Sequence, residues 1–228
     1  MIGVTKNLAL ISDLLRKSAI EAGRDPTEVR LLAVSKRQPL EKIREAATCG
    51  QHDFGENFVQ EGVEKIESLR DLGLTWHFIG HLQTNKTRVV AEYFDWVHTI
   101  DKLKTARRLS EQRPEGLPPL NVCLQVNVDD EESKSGELAT AIPELAAACA
   151  DLPNLNLRGL MCLPAIRGEF ADQRKPFAQL RELADQIRNT GVNIDTLSMG
   201  MTADYRAAIL EGATIVRVGT AVFGARDK

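Results

Sequence analysis

Leu31-Leu32-Ala33-Val34-Ser35-Lys36-Arg37-Gln38-Pro39 decides how the rest of the chain is read. An unbroken apolar run from Leu31 to Val34 fits a strand buried on both faces, as in a parallel sheet covered by helices. Pro39 suits the first turn of a following helix, where its missing N–H is not needed. One strand leading straight into one helix is a βα unit. The strand ends on Lys36, and an ammonium group there is costly unless it reaches water or is put to use.

The unit repeats. Strand candidates span 30–36, 53–56, 76–80, 96–100, 121–127, 156–163, 196–199 and 214–219, with helix candidates at 39–48, 57–72, 85–94, 102–111, 137–150, 170–189 and 203–211 between them. Phe177, Leu180, Ala184 and Ile187 show the three-or-four spacing of one helix face. A further helix precedes the series, with Val4, Leu8, Ile11 and Leu15 forming its apolar stripe. Regular βα alternation implies a parallel sheet with right-handed crossovers. Eight units favour a closed (β/α)8 TIM barrel with an extra N-terminal helix, in one domain spanning residues 1–228. An open doubly wound sheet is the alternative, but no G-x-G-x-x-G turn follows the first strand.

Composition narrows the function. The net charge is −3 and basic residues are interleaved with acids, which gives no nucleic-acid footprint. No apolar stretch approaches the roughly 18 residues of a membrane span. The N-terminus has no signal-peptide pattern, and Cys49, Cys123, Cys149 and Cys162 lack C-x-x-C spacing, so a cytoplasmic protein with reduced thiols is expected. Asp129-Asp130-Glu131-Glu132 reads as a solvated acidic loop. His77 and His81, four apart on a strand, would stand on the order of 13 Å apart and so cannot share a metal. His52 and His98 read as ordinary barrel or loop residues, and no metal site is expected.

In such a barrel, chemistry gathers at the strand C-termini. Lys36, Glu56-Asn57, Gly80-His81, Ser198-Met199-Gly200 and Arg217-Val218-Gly219-Thr220 fall there. Barrels commonly bind phosphate between the last two strand–helix loops, where Ser198 and Thr220 offer hydroxyls, Gly200 and Gly219 admit close backbone approach, and Thr202 could cap the next helix. Ile215, Arg217 and Gly219 share one face of their strand while Val216 and Val218 share the other. Arg217 therefore points into the barrel mouth, either paired with a carboxylate such as Glu56 or contacting a ligand. Desolvation and nearby Arg217 would favour the neutral amine of Lys36, which could then form a Schiff base with an aldehyde. A lysine Schiff base beside a phosphate cradle points to pyridoxal 5′-phosphate.

The stretches L-L-A-V-S-K, F-G-E-N-F-V-Q-E, W-H-F-I-G-H-L-Q-T-N-K, E-S-K-S-G, L-S-M-G-M-T-A-D and V-R-V-G-T-A-V-F-G, running from about 31 to 224, resemble the pyridoxal phosphate homeostasis protein family. That family comprises single-domain relatives of the alanine racemase N-terminal barrel. The resemblance implies that Lys36 carries the cofactor. It assigns Ser198, Met199, Gly200, Gly219 and Thr220 to the phosphate, Arg217 to the pyridine nitrogen, and Asn57 and His81 to the surroundings. Phe58 departs from the Tyr or Arg expected after G-E-N, and Ala203-Asp204-Tyr205-Arg206 replaces a more acidic run.

Two functions compete: a carrier that buffers or delivers pyridoxal phosphate in vitamin B6 homeostasis, and a pyridoxal-phosphate-dependent amino-acid racemase. An arginine at the pyridine nitrogen disfavours ring protonation and weakens the electron sink. A racemase needs two opposed bases, yet Tyr93 and Tyr205 fall on predicted helices away from the mouth. The chain ends about nine residues after the last predicted strand, leaving no further β domain to close the site. The carrier is therefore the expected reading, as a monomer that meets pyridoxal-phosphate-dependent apoenzymes transiently.

Overall fold

A computed structural model describes residues 3–130 and 135–224. Helix α1 (Val4–Glu21) leads, and β1 (Arg30–Val34), β2 (Asp53–Glu56), β3 (Thr75–Phe78), β4 (Trp96–Ile100), β5 (Leu120–Asn127), β7 (Leu155–Cys162), β8 (Thr196–Ser198) and β9 (Ile215–Val218) form the sheet. Every recorded pairing is parallel. The order β4-β3-β2-β1-β9-β8-β7-β5 returns to its start through β4–β5, so the sheet closes into an eight-stranded barrel. The outer helices are α2 (Leu40–Thr48), α3 (Val59–Ser68), α4 (Thr87–Tyr93), α5 (Leu103–Gln112), α6 (Ile142–Ala150), α7 (Phe170–Asn189), α8 (Tyr205–Leu210) and the single turn α9 (Thr220–Phe223).

Two boundaries depart from the sequence reading for identifiable reasons. The helix expected over 137–150 begins only at Ile142, because Pro143 is tolerated in the first turn alone. The freed segment Glu137–Leu138 becomes the short strand β6, paired to Val126 and Asn127 of β5. The helix expected over 57–72 shortens to α3, and a 3-10 turn over Arg70–Leu72 ends on Gly73 in the left-handed region. Asp129, read as part of a solvated loop, is instead a buried acceptor for the Ala165 N–H at 2.7 Å and is ion-paired with Arg167. Glu131 and Glu132 of that cluster lie outside the described residues, as do Ser133 and Lys134 of E-S-K-S-G.

Strand alternation sorts the core into two layers. Ala33, Phe54, Val97, Leu197, Val216 and Val218 face the helices and join the main cluster, to which α1 contributes Val4, Leu8, Ile11 and Leu15. Leu32, Trp96, Cys123, Met161 and Ile215 form a smaller cluster inside the barrel. Side chains as large as Phe54 and Phe177 are fully buried in the outer layer, each contributing about 1.5–3 kcal/mol. Inside the barrel Trp96 stacks on His77 with centroids 5.2 Å apart, and the Arg30 and Arg158 guanidinium groups lie over the Trp96 ring.

Candidate functional site

At the C-terminal ends of the strands is a cavity of about 400 Å3, within the usual range for a small-molecule site. β1 and the turn after it contribute Val34, Lys36 and Gln38. Asn57 and Ile79 follow β2 and β3, Met161 and Leu163 come from β7 and its end, Met201 and Thr202 follow β8, and Arg217, Gly219 and Thr220 come from β9 and α9. Val34 and Lys36 have the same strand parity as the inward Leu32, which carries the lysine to the mouth. Among the described residues, two cations line this wall and no carboxylate does.

The turn bearing Lys36 is clamped from outside by α3. Lys65 Nζ donates to Ser35 O at 2.7 Å, to Glu56 Oε1 at 2.8 Å and to Glu61 Oε1 at 2.6 Å. Glu61 in turn accepts the Arg37 N–H, and Arg37 sits at φ 59°, an uncommon value for a residue with a β-carbon. Burial raises the Glu56 carboxyl above its ordinary value, opposed by Lys65. Glu56 is therefore the partner of Lys65, and the ion pair between Glu56 and Arg217 considered from sequence is not formed.

Arg217 is held by neutral acceptors. Its Nη1 donates to Ser198 O at 2.6 Å and to Ser198 Oγ at 2.8 Å, and its Nη2 donates to Cys162 O at 2.8 Å. Burial lowers this guanidinium from its usual value. Ser198 does not face the cavity: its fully buried hydroxyl bonds Arg217 and His98 Nδ1 inside the barrel. Met199 is also buried, its N–H donating to Ile215 O. Gly200 turns the chain at φ 91°, where a β-carbon would strike that of Ala208 at 2.6 Å. This turn delivers Met201 and Thr202 to the cavity, two positions the sequence reading did not assign to it. Thr202 is exposed and does not cap α8; the residue preceding that helix is Asp204, whose carboxylate accepts the Met201 N–H at 2.6 Å.

Gly80 brings Asn57 to the wall, since a β-carbon at 80 would lie 2.0 Å from Asn57 O. The Asn57 Oδ1 is buried and meets no donor. His81 is exposed and lines a neighbouring depression that shares Asn57, Ile79 and Leu163 with the main cavity. Thr220 opens α9, whose first internal bonds run from the Val222 and Phe223 N–H groups to Gly219 O. His98, read as an ordinary barrel residue, stands in a buried line of polar contacts with Ser198 and His77, and burial together with His77 and Arg217 holds it well below its usual pKa.

Other reactive groups lie elsewhere. The four cysteines are unpaired, and burial pushes the Cys123 and Cys162 thiols up to about 12. Tyr93 donates to Glu67 at 3.1 Å, and Tyr205 opens α8 and packs against the main cluster, outside the cavity lining. Among the described residues no group of three His, Cys, Asp or Glu gathers as a metal site, and no helix is long and apolar enough to cross a membrane.

Residues 18–227 match the family described as alanine racemase, N-terminal domain. A curated relative from Pseudomonas aeruginosa named pyridoxal phosphate homeostasis protein is 56% identical over 224 residues, covering 98% of this chain and 96% of its own. The solved structure of PipY from Synechococcus elongatus with pyridoxal phosphate bound superposes with a TM-score of 0.83 at 35% identity, covering 97% of this chain and all of PipY. Alanine racemase from Corynebacterium glutamicum, at 16% identity and a TM-score of 0.72, shares the fold, with 61% of its chain covered. The chain thus belongs to the pyridoxal phosphate homeostasis protein family, built on the alanine racemase N-terminal barrel.

Proposed function

We propose that this chain, as one barrel domain, holds pyridoxal 5′-phosphate reversibly through Lys36 and buffers or delivers it in vitamin B6 homeostasis. The observation that carries the reading is a cavity whose lining brings together one primary amine and one guanidinium and, among the described residues, no carboxylate. A phosphorylated aldehyde matches that charge and that amine. The fit extends to Asn57, whose buried, donor-free amide oxygen stands ready for a polar ring substituent.

The bound group would supply an aldehyde carbon that condenses reversibly with a primary amine. Lys36 is the amine. Thr220 and the N–H groups opening α9, with Thr202 opposite, are the donors proposed for the phosphate; Ser198, Met199 and Gly200 shape this side from behind. Arg217 is the residue proposed to meet the ring nitrogen. A guanidinium can only donate, so a nitrogen held there would stay unprotonated, which would suit holding better than carbanion chemistry. Racemisation would need a second base opposite Lys36, and the remaining wall offers amides, hydroxyls and apolar groups. Recipients are proposed to be pyridoxal-phosphate-dependent apoenzymes met transiently in the cytoplasm. A monomer is supported by helix faces carrying close-spaced ion pairs such as Asp13–Lys17, Asp172–Lys175 and Asp185–Arg188.

Mixing the purified protein with pyridoxal phosphate is expected to give a visible absorption band that Lys36→Ala removes. An unchanged band in that variant would contradict the assignment. Incubation with L-alanine is expected to leave optical rotation constant; sustained loss of rotation would establish the racemase instead.

A further inference from the structure

The barrel interior holds a polar file that the cavity itself does not require. Asp53 Oδ1 lies 2.9 Å from His77 Nε2, His77 Nδ1 lies 2.9 Å from His98 Nε2, and His98 Nδ1 lies 2.8 Å from Ser198 Oγ, which Arg217 Nη1 reaches at 2.8 Å. His77, His98 and Ser198 are fully or almost fully buried. Asp53, at the start of β2, is a quarter exposed on the opposite rim of the barrel, with Arg30 3.9 Å away.

The two ends fix every proton between them. Ionised Asp53 can only accept, so His77 carries its proton on Nε2. A neutral His77 then has a bare Nδ1, which must accept from His98 Nε2–H. His98 Nδ1 is bare in turn and accepts the Ser198 hydroxyl proton. This leaves Ser198 Oγ as an acceptor for Arg217, which can only donate. Each link has one donor and one acceptor, and all run from cation to anion. Burial keeps both imidazoles below their ordinary pKa, so both remain neutral as the file demands.

We infer that Asp53, His77, His98 and Ser198 are positioning residues forming a one-way hydrogen-bonded chain that orients Arg217, so the far rim of the barrel is coupled to the cofactor cavity. The inference rests on the proposed placement of pyridoxal phosphate against Arg217. It predicts that a change at Asp53, which has no part in the cavity wall, loosens the cofactor. Breaking the file lets the imidazoles change tautomer and the guanidinium lose one of its anchors.

The test is a double-mutant cycle on the full chain loaded with pyridoxal phosphate, reading its release into a trapping reagent. Asp53→Ala and Ser198→Ala are each expected to speed release about tenfold. The double variant is expected to match the single ones, because one broken chain cannot be broken twice. Asp53→Asn keeps an acceptor for His77 and is expected to restore slow release. Release from Asp53→Ala at the wild-type rate, or single effects that multiply to about a hundredfold, would overturn the chain. Nitrogen-15 histidine spectra of the unliganded wild-type protein decide the matter even where a variant folds poorly. Protons on Nε2 of both neutral rings are expected, and a proton on Nδ1 of either overturns the inference. If wild-type protein binds no pyridoxal phosphate, the proposed function falls while these spectra still judge the chain.

Discussion

Lys65 and Arg217 are both buried cations beside the same strand ends, and they are satisfied in opposite ways. Lys65, behind the Lys36 turn, meets two carboxylates and a carbonyl. The Lys65 charge is neutralised within the protein, which marks the cluster as structural, although Glu56 Oε2 stays buried without a donor. Arg217 meets a hydroxyl and two carbonyls, and among the described residues its cavity wall holds no anion. Arg113 shows that carbonyls alone do not make a binding site. It donates to Ala91, Phe94 and Pro118 carbonyls, two of them at the end of α4, and lines no part of the Lys36 cavity. A buried cation signals a ligand when it lacks a protein anion and also opens onto space.

The contrast can be broken by substitution. Lys65→Met leaves the fully buried Glu56 without its counter-ion and should cost about 3–5 kcal/mol in urea unfolding. Arg217→Met strands only neutral acceptors and should cost about 1–3 kcal/mol, while weakening pyridoxal phosphate retention at least about tenfold. Equal stability losses, or retention that follows Lys65 rather than Arg217, would erase the distinction.

Acidity separates the same regions with opposite signs. His77 and His98 are held neutral in the barrel, whereas the unfolded chain protonates them near 6.5. The unfolded state therefore binds more protons, and stability falls as pH drops below that value, by up to about 1.4 kcal/mol per pH unit for each histidine. Glu56 acts in the other direction: its folded value is raised from 4.5, so its contribution is lost as pH rises through that region. Urea midpoints between about pH 5 and pH 6.5 should rise with pH, and His98→Gln should remove part of that slope. A slope unchanged in His98→Gln would place the proton uptake elsewhere. The smallest expected effect is that of Thr220→Val, which deletes one proposed phosphate donor and should weaken retention about fivefold. An unchanged dissociation constant would remove Thr220 from the cradle.

What the sequence made legible was whatever depends on one strand or one helix at a time. The apolar run before Lys36, the stripe Val4, Leu8, Ile11 and Leu15, and the alternation that aimed Arg217 inward all belong to single elements. Ser198 could have been read the same way. Leu197 faces the helices, so Ser198 beside it must face the barrel interior and not the loop. The histidine file was hidden because it depends on register between strands: pairing of His77 with Trp96 sets His98 beside His77, and neither strand states this alone. Lys65 finds Glu56 only through the packing of α3 on β2, which no single element states, and Met201 and Thr202 reach the cavity only through the turn at Gly200.

The central claim is that Lys36 is the covalent anchor in a cation-lined pocket. Borohydride reduction of the loaded protein, followed by peptide mass mapping, tests it most directly. One pyridoxyl-phosphate adduct on Lys36 is the predicted result. An adduct confined to other lysines, or none at all, would contradict it.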